Sequence, residues 1–139
     1  MFKKTLVGLS VFFMLFYAEA QNFNTYFLPK SLRINYIHSG NKEKDSIACK
    51  YFQAYEIWAG SMTNLIDTYD YGCHKIMVFD SSSNQLIYSR TYSCLFGEYR
   101  TTEIGKTESK EFKETVLCPF PKNTVRIEFH TRTQKSNFE

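Results

Sequence analysis

KIMVFDSSSNQLIYSRTY, residues 75–92, carries the strongest secondary-structure signal in the chain. Two runs rich in Ile, Val, Phe and Tyr, Lys75 to Asp80 and Gln85 to Tyr92, flank the polar loop Ser81-Ser82-Ser83-Asn84. This pattern predicts an antiparallel hairpin with apolar side chains on both faces, which favours a strand pair inside a sandwich. Pairing the two ends of the loop predicts three facing pairs: Phe79 with Leu86, Met77 with Tyr88, and Lys75 with Arg90.

Other segments outside the hairpin also have strand patterns. Leu32, Ile34 and Tyr36 alternate with polar or outward positions and predict a half-buried strand that ends at Ser39-Gly40-Asn41. Val125, Ile127 and Phe129 alternate in the same way and predict a strand with one buried face. For residues 47–58 the period is ambiguous between a strand and an irregular wrap.

The remaining part of the chain fits the same fold class. Pro119 and Pro121 end the apolar segment 112–120 or keep it at a sheet edge, because proline cannot donate a ladder hydrogen bond. Residues 97–110 are polar and predict a long connection, the only stretch in which a short helix is credible. Together the segments predict an all-β protein, an antiparallel β-sandwich that is immunoglobulin-like or jelly-roll-like.

Composition excludes several classes of function. The 139 residues carry a net charge of +3, and no basic run is longer than a Lys pair, so there is no footprint for a nucleic acid. With 17% aromatic and 22% charged residues, the chain also lacks the composition of a disordered protein. These features indicate a small, aromatic-rich globular domain.

The first 20 residues have the organisation of a secretory signal peptide. A basic start, an apolar run from Leu6 to Tyr17 and the small residues of Ala18-Glu19-Ala20 follow one another. The apolar run is too short for a membrane-spanning helix. We therefore predict a signal peptide over 1–20, a lead-in over 21–30, the sandwich over 31–139, and an exported protein that is periplasmic or extracellular.

Four cysteines lie in the predicted exported part of the chain. An even number permits two disulfides in any of three pairings. A Cys73–Cys94 bridge would need a one-residue slip or a bulge in the hairpin register, which places Cys73 opposite Tyr92. The sequence contains none of the close C-x-x-C pairs of structural zinc sites, so disulfides or free thiols are favoured over a metal. The candidate disulfide cysteines are Cys49, Cys73, Cys94 and Cys118.

No motif for catalysis or metal binding is found in the sequence. The three histidines, His38, His74 and His130, are far apart and none is followed by Glu, so H-E-x-x-H is absent and only distant strands could assemble a metal site. Ser61 lacks the flanking glycines of a nucleophile elbow. Cys73 and His74 are neighbours and are expected on opposite faces of a strand. We therefore predict no catalytic residue, no metal ligand and no cofactor in this chain.

Aromatic residues near the middle of the chain are the one binding signal. Exposed rings of this kind hold sugars or peptides on β-sandwiches, although most such residues fill cores instead. The candidate binding residues are Trp58, Tyr55, Tyr69 and Tyr71.

A set of short segments, in their order and spacing, resembles the N-terminal domain of the secreted IgA-peptidase family of zinc metallopeptidases (peptidase family M sixty-four), which is found chiefly in Bacteroidetes. The resemblance covers Ser31 to Glu139, and it implies that the last strand of the sandwich is missing from this chain. Tyr99 and Thr91 depart from the usual pattern, which has Trp and Gly there. The segments are Leu32 to Tyr36, Trp58-Ala59-Gly60, Thr63 to Asp67, Val78-Phe79-Asp80, Leu86 to Arg90, Phe96-Gly97-Glu98, Thr101-Thr102-Glu103, Phe112, Glu114, and Pro119 to Lys122.

The resemblance implies a noncatalytic accessory domain. In the family, a catalytic domain with an H-E-x-x-H zinc site follows this sandwich, so zinc is the implied cofactor of that domain and not of this chain. The implied partners are a metallopeptidase catalytic domain or a protein substrate, with no nucleic acid and no membrane after signal cleavage. The alternative is a stand-alone exported sandwich that binds a glycan or peptide through aromatics near Trp58.

Overall fold

Two three-stranded antiparallel sheets form the fold, with strand orders β2-β1-β5 and β4-β3-β6. The computed structural model describes residues 22–132. The predicted signal peptide and residues 133–139 lie outside this range. In chain order the elements are α1 (Phe23–Tyr26), β1 (Phe27–Gly40), β2 (Asp45–Tyr55), β3 (His74–Asp80), β4 (Leu86–Tyr92), α2 (Leu95–Tyr99), a 3₁₀ turn (Ile104–Lys106), β5 (Lys110–Pro121) and β6 (Val125–Thr131).

β1 is the central strand of the first sheet and has the alternation predicted from its sequence. Ile34, Tyr36 and His38 are almost completely buried on its inner face, and the strand pairs with both β2 and β5. Gly40 ends it with φ +140°, where a Cβ would lie 2.2 Å from the Lys44 carbonyl oxygen. Only glycine fits this turn without moving the backbone. The lead-in predicted over 21–30 contains α1 and the start of β1.

The predicted hairpin is present as β3 and β4, but part of its predicted register is wrong. Phe79 faces Leu86 as expected. A bulge between Val78 and Phe79 then shifts the pairing by one residue, so Met77 faces Ser89 and Lys75 faces Thr91. The alternating pattern cannot reveal this extra residue, because apolar side chains occupy both faces on either side of it.

The core lies between the two sheets and confirms the predicted all-β antiparallel fold class. Each sheet contributes apolar side chains from its central strand, and α1 and the loop after β2 close one end. Its buried members are Phe23, Phe27, Ile34, Tyr36, Trp58, Leu65, Ile76, Val78, Ile87, Tyr88, Val116 and Cys118.

The connections also follow the sequence predictions. The stretch 97–110, in which a short helix is credible, contains the end of α2 and the 3₁₀ turn; α2 begins two residues before this stretch, and α1 lies outside it. β5, which carries the prolines, is an edge strand of its sheet. Residues 47–55, whose period was ambiguous, belong to strand β2. Among residues 22–132, no helix is long and apolar enough to cross a membrane.

Trp58→Ala should destabilise the fold. Trp58 is only 8% exposed, packs edge-to-face on Tyr88 with ring centroids 6.0 Å apart, and donates from Nε1 to the Ser61 carbonyl oxygen at 3.1 Å. We expect a loss of about 3–5 kcal/mol in the free energy of unfolding, as for other buried large-to-small changes. Urea denaturation measures it.

The matched control is Tyr71→Ala, because Tyr71 is 88% exposed. This change should alter stability by less than about 0.5 kcal/mol. Equal, small effects for both variants would show that Trp58 is not part of the core.

Candidate functional site

The four aromatic candidates occupy different environments. Trp58 is buried in the core, whereas Tyr55, Tyr69 and Tyr71 are exposed. Tyr69 and Tyr71 stack on each other with ring centroids 5.8 Å apart and planes at 22°. Tyr55 lies at the end of β2, where its hydroxyl accepts a hydrogen bond from Arg33 Nη1 at 3.2 Å. The structure therefore does not bring all four into one surface.

A cleft of about 600 Å³ lies beside the loop that follows β2. Trp58, Tyr69 and Tyr88 provide aromatic walls, and Asp67 and Arg90 provide charge. Such a mixture of rings and a few polar groups is typical of sites for small polar ligands. Tyr55 and Tyr71 are not among the residues that line this cleft.

Asp67 holds the cleft wall in place through four hydrogen bonds. Its Oδ1 accepts from the backbone N–H groups of Tyr69 and Asp70, and its Oδ2 accepts from the backbone N–H and the hydroxyl of Thr91. Burial would raise the pKa of this carboxyl group, but the bonds from Thr91, Tyr69 and Asp70 outweigh it and lower the pKa to about 2. Asp67 is therefore an ionised clamp between the loop and β4.

The core-facing side of β2 is a second surface feature. Cys49 faces Tyr36 and Phe52 faces Ile34 across the β1–β2 pairing, and opposite residues in an antiparallel pair share one face. Ile34 and Tyr36 are buried, yet Phe52 is 57% exposed and Cys49 is exposed. We call Cys49 and Phe52, together with the half-buried Ile47, the β2 face.

A buried cluster joins the two sheets at the other end of the core. His38 on β1 and His74 on β3 come from different sheets, and their ring centroids are 4.9 Å apart. One ring nitrogen from each histidine and Sγ of Cys94 lie within 4.8 Å of one another. His38 also stacks on Phe96 of α2 at 3.8 Å. These residue types in this arrangement are capable of binding a metal.

Two carboxylates compensate the burial of His38. Its Nε2 lies 2.7 Å from Asp45 Oδ2, and its Nδ1 lies 3.4 Å from Glu114 Oε2. Burial disfavours the imidazolium form, but the two carboxylates outweigh it and raise the pKa of His38. Burial likewise acts to raise the pKa of Glu114, but His38 and the Phe96 backbone N–H outweigh it and lower it to about 2.

The four cysteines are free thiols in this structure. Cys49 is exposed on β2, and Cys118 is buried in the core, where burial raises the pKa of its thiol to about 12. Cys73 and Cys94 share a hydrogen bond, which is the main cause that lowers the pKa of Cys73. Disulfides between these cysteines stay one of the alternatives that the sequence leaves open.

Cys73 and His74 do not diverge as expected. A Cβ added to Gly97 would lie 2.6 Å from Cys73 Sγ and 3.3 Å from His74 Nε2, so both side chains approach the same glycine. The reason is that Cys73 precedes β3, so the alternation of side chains along a strand does not apply to it. The facing position predicted for Cys73 is also wrong, because His74 is the residue opposite Tyr92.

Sequence reasoning missed the His38–His74–Cys94 cluster because these residues are far apart in the chain. The one available signal was the strand alternation, which already placed His38 on the same face as Ile34 and Tyr36. A polar residue on a core-facing position needs a partner. That partner could not be named from the sequence, since it depends on how the sheets pack.

The fold and the site together define an antiparallel β-sandwich domain whose sequence lacks a metallopeptidase motif. Residues 22–139 match the family described as Peptidase M64 N-terminus. The match covers most of the chain, so the protein belongs to this family, as its sequence resemblance indicated. A comparison with curated proteins finds no match.

Asp67→Asn should lower stability in a pH-dependent way. The pKa of Asp67 is about 2 in the folded state, below the ordinary value of about 3.9 in an unfolded chain. Its contribution is therefore fully present above about pH 4 and is lost as the pH falls toward 2. Urea denaturation at pH 7 should show a loss of about 1–2 kcal/mol after solvent screening, and this loss should shrink at pH 3.

Glu103→Gln is the matched control, since this carboxylate is largely exposed and pairs with the neighbouring Lys106. Its effect should be small at both pH values. A penalty for Asp67→Asn that is the same at pH 7 and pH 3 would contradict the assignment of Asp67 as an ionised clamp.

Proposed function

We propose that this chain is a noncatalytic accessory domain of an exported M64-type metallopeptidase and that it packs against the peptidase catalytic domain. The observation that carries this proposal is the family match over residues 22–139 to the N-terminal part of such peptidases. The predicted signal peptide supports export to the periplasm or the extracellular space.

The exposed apolar side chain on the β2 face supports packing of this domain against another domain. Phe52 projects from the core side of the sheet, yet it is more than half exposed, so apolar surface that belongs to a core is uncovered within the described chain. β2 is also an edge strand, whose outer backbone groups are available for pairing. A large domain joined to the sandwich would cover both features.

The peptidase domain is the occupant that we favour for the β2 face. A domain on the same polypeptide reaches this face at high effective concentration, so even a modest apolar patch would hold it. Tyr51 and Tyr55 are exposed on the opposite side of β2 and would lie at the rim of such a contact. A protein substrate is the other partner that the resemblance implies, and nucleic acids and membranes are not proposed.

Chemistry of the chain itself supports a noncatalytic role. The sequence has no H-E-x-x-H motif. The carboxylates of Asp67 and Glu114, whose pKa values are lowered, accept hydrogen bonds from the backbone N–H groups of Thr91 and Phe96. By resemblance, the zinc of the peptidase belongs to the H-E-x-x-H domain. The name of the IgA-peptidase family does not identify the substrate of this protein.

A stand-alone binding module is the second candidate. The observation that favours it is the exposed Tyr69–Tyr71 stack, with Tyr69 on the wall of the Trp58 cleft. Stacked rings of this kind hold sugars or peptides. This function predicts glycan or peptide binding that Tyr69→Ser abolishes and Phe52→Asp leaves intact.

Phe52→Asp should weaken docking of the catalytic domain. A charge at the centre of an apolar contact costs affinity, and we expect a loss of about tenfold or more. Calorimetric titration of this chain with the separately expressed catalytic domain of a full-length family member measures it. Circular dichroism checks that the variant is folded, which we expect because Phe52 is largely exposed.

The matched control is Tyr71→Asp, which places the same charge on an exposed aromatic away from the β2 face. It should bind the catalytic domain as the unsubstituted chain does. Loss of docking in Tyr71→Asp but not in Phe52→Asp would instead assign the partner to the tyrosine stack.

The chain alone should not cleave protein substrates. We expect no hydrolysis of casein or immunoglobulin with zinc supplied, because the sequence lacks the residues that activate a zinc-bound water. Gel electrophoresis after prolonged incubation measures this. Cleavage that a chelator abolishes would overturn the noncatalytic assignment.

A further inference from the structure

We propose that His38, His74, Cys94 and Glu114 form a structural binding site for a zinc-class divalent metal ion between the two sheets. This site differs from the H-E-x-x-H site of the peptidase family, and it does not depend on the docking proposed above. It arises from β1, β3, β5 and the residue that precedes α2, which only the folded chain brings together.

Unpartnered buried atoms are the first line of argument. Within residues 22–132, four buried side-chain polar atoms lack a hydrogen-bond partner, and three of them are His38 Nδ1, His74 Nε2 and Glu114 Oε2. His38 and His74 are 0% and 1% exposed. Buried polar groups are almost always satisfied. His38 Nδ1 and Glu114 Oε2 satisfy each other at 3.4 Å only when His38 is protonated, and His74 Nε2 has no hydrogen-bond partner in either case, so the cluster points to a missing ligand.

The hydrogen bonds around the cluster fix both histidine tautomers. Asp45 Oδ2 is an acceptor, so His38 Nε2 donates to it at 2.7 Å, and in the neutral ring His38 Nδ1 keeps its lone pair. Thr131 Oγ1 donates its only proton to the same Asp45 oxygen at 3.2 Å. The Thr131 hydroxyl must therefore accept from His74 Nδ1, 3.3 Å away, which leaves the lone pair on His74 Nε2.

This arrangement is the one found around metal-binding histidines. Such residues donate the outer ring N–H to a carboxylate or another oxygen, which orients the ring and leaves the inner nitrogen for the metal. Asp45 and Thr131 supply these outer contacts for His38 and His74. The single Asp45 oxygen links the two imidazoles, so both rings are oriented together.

The donor atoms fit a tetrahedral ion. Ligand atoms about 2.0–2.3 Å from zinc lie roughly 3.3–3.8 Å from one another. The His38, His74 and Cys94 donors are within 4.8 Å of one another, so a shift of about 1 Å brings these three to zinc distances. Glu114 Oε2 is 3.4 Å from His38 Nδ1 but lies outside that group of three, so it becomes the fourth ligand only after a larger movement of its side chain. Two imidazoles, one thiolate and one carboxylate suit zinc better than magnesium or calcium.

A proton cannot replace the ion completely. Protonating His38 Nδ1 would satisfy that atom and Glu114 Oε2, but His74 Nε2 would still have no partner. A divalent cation satisfies all three atoms, and the negative charges of Glu114 and the Cys94 thiolate neutralise it. Cys94 supplies the thiolate and Cys73 stays outside the first coordination sphere, because Cys94 Sγ lies within 4.8 Å of a ring nitrogen of each histidine.

A surface cleft lies beside the site. Gly97 contacts the cluster, because a Cβ here would lie 2.6 Å from Cys73 Sγ and 3.3 Å from His74 Nε2. Gly97 and Cys73 also line an open cleft of about 400 Å³. Because Lys42, Arg100, Lys106 and Arg132 line the same cleft, its charge disfavours a cation, and the attraction must come from Glu114 and the Cys94 thiolate.

Cobalt titration tests the site. The full chain is reduced, freed of metal with a chelator under anaerobic conditions, titrated with Co²⁺ and then with Zn²⁺. We expect one Co²⁺ per chain, a thiolate-to-cobalt charge-transfer band, visible bands with the intensity of four-coordinate cobalt, and displacement by zinc. Failure to bind Co²⁺ or Zn²⁺ would overturn the proposal.

Cys94→Ser and Cys49→Ser form a matched pair. Cys94→Ser should abolish the charge-transfer band and weaken metal affinity by about tenfold or more. Cys49→Ser, which removes an exposed thiol outside the cluster, should change neither. Glu114→Gln should weaken affinity with the band retained. A band that survives in Cys94→Ser contradicts the assigned ligand.

Alkylation of the unsubstituted protein provides a readout that needs no variant to fold. Zinc should protect Cys94 from an alkylating reagent and leave Cys49 as reactive as before. Equal reactivity of Cys94 with and without zinc would count against the site. So would a Cys73–Cys94 disulfide without bound metal in protein recovered from its exported compartment, because that bond consumes the Cys94 thiolate.

Discussion

Burial of the His38 imidazole is the constraint on which one end of the structure depends. A fully buried polar ring is tolerated only with partners, and those partners come from every neighbouring element. Asp45 on β2 and Glu114 on β5 flank the ring, and Phe96 of α2 stacks on it. Thr131 of β6 bonds to the same Asp45 oxygen, which connects the second sheet. One side chain thus fixes how the two sheets meet.

The other end of the sandwich is held by apolar packing. Phe27, Ile34, Ile76 and Val78 are completely buried there, and Trp58 closes the side of the core. The two ends therefore differ in kind: the apolar end is non-directional and tolerates adjustment, whereas the polar end requires specific donors and acceptors. A polar cluster of this kind specifies the alignment of the sheets and provides the chemistry for a ligand.

Membership of the M64 N-terminal family and the exposed β2 face both bear on the proposed contact with another domain. The face is part of the core side of a sheet, yet its large apolar side chain Phe52 is uncovered. Apolar surface that is continuous with a core and unshielded is typical of a contact between domains. The proposed metal site lies among side chains of both sheets, so it would stabilise the sandwich whether or not a partner is docked.

Local alternation was sufficient to predict β1 and β6, because a strand with one buried face needs only its own side chains to show it. The hairpin β3–β4 was predicted from two apolar runs that flank a polar loop. Pro119 and Pro121 indicated the end of a strand or an edge position, because proline cannot donate a ladder hydrogen bond. The register beyond Phe79 was not predictable, since a bulge leaves no trace where both strand faces are apolar. The sequence does not distinguish Trp58 from Tyr71 as candidate binding residues. Trp58 is buried and Tyr71 is exposed, because the packing of the loop after β2 determines which ring enters the core. The meeting of His38 with His74 and Cys94 was also decided by the tertiary structure: residues on separate sheets become neighbours only when the sheets pack.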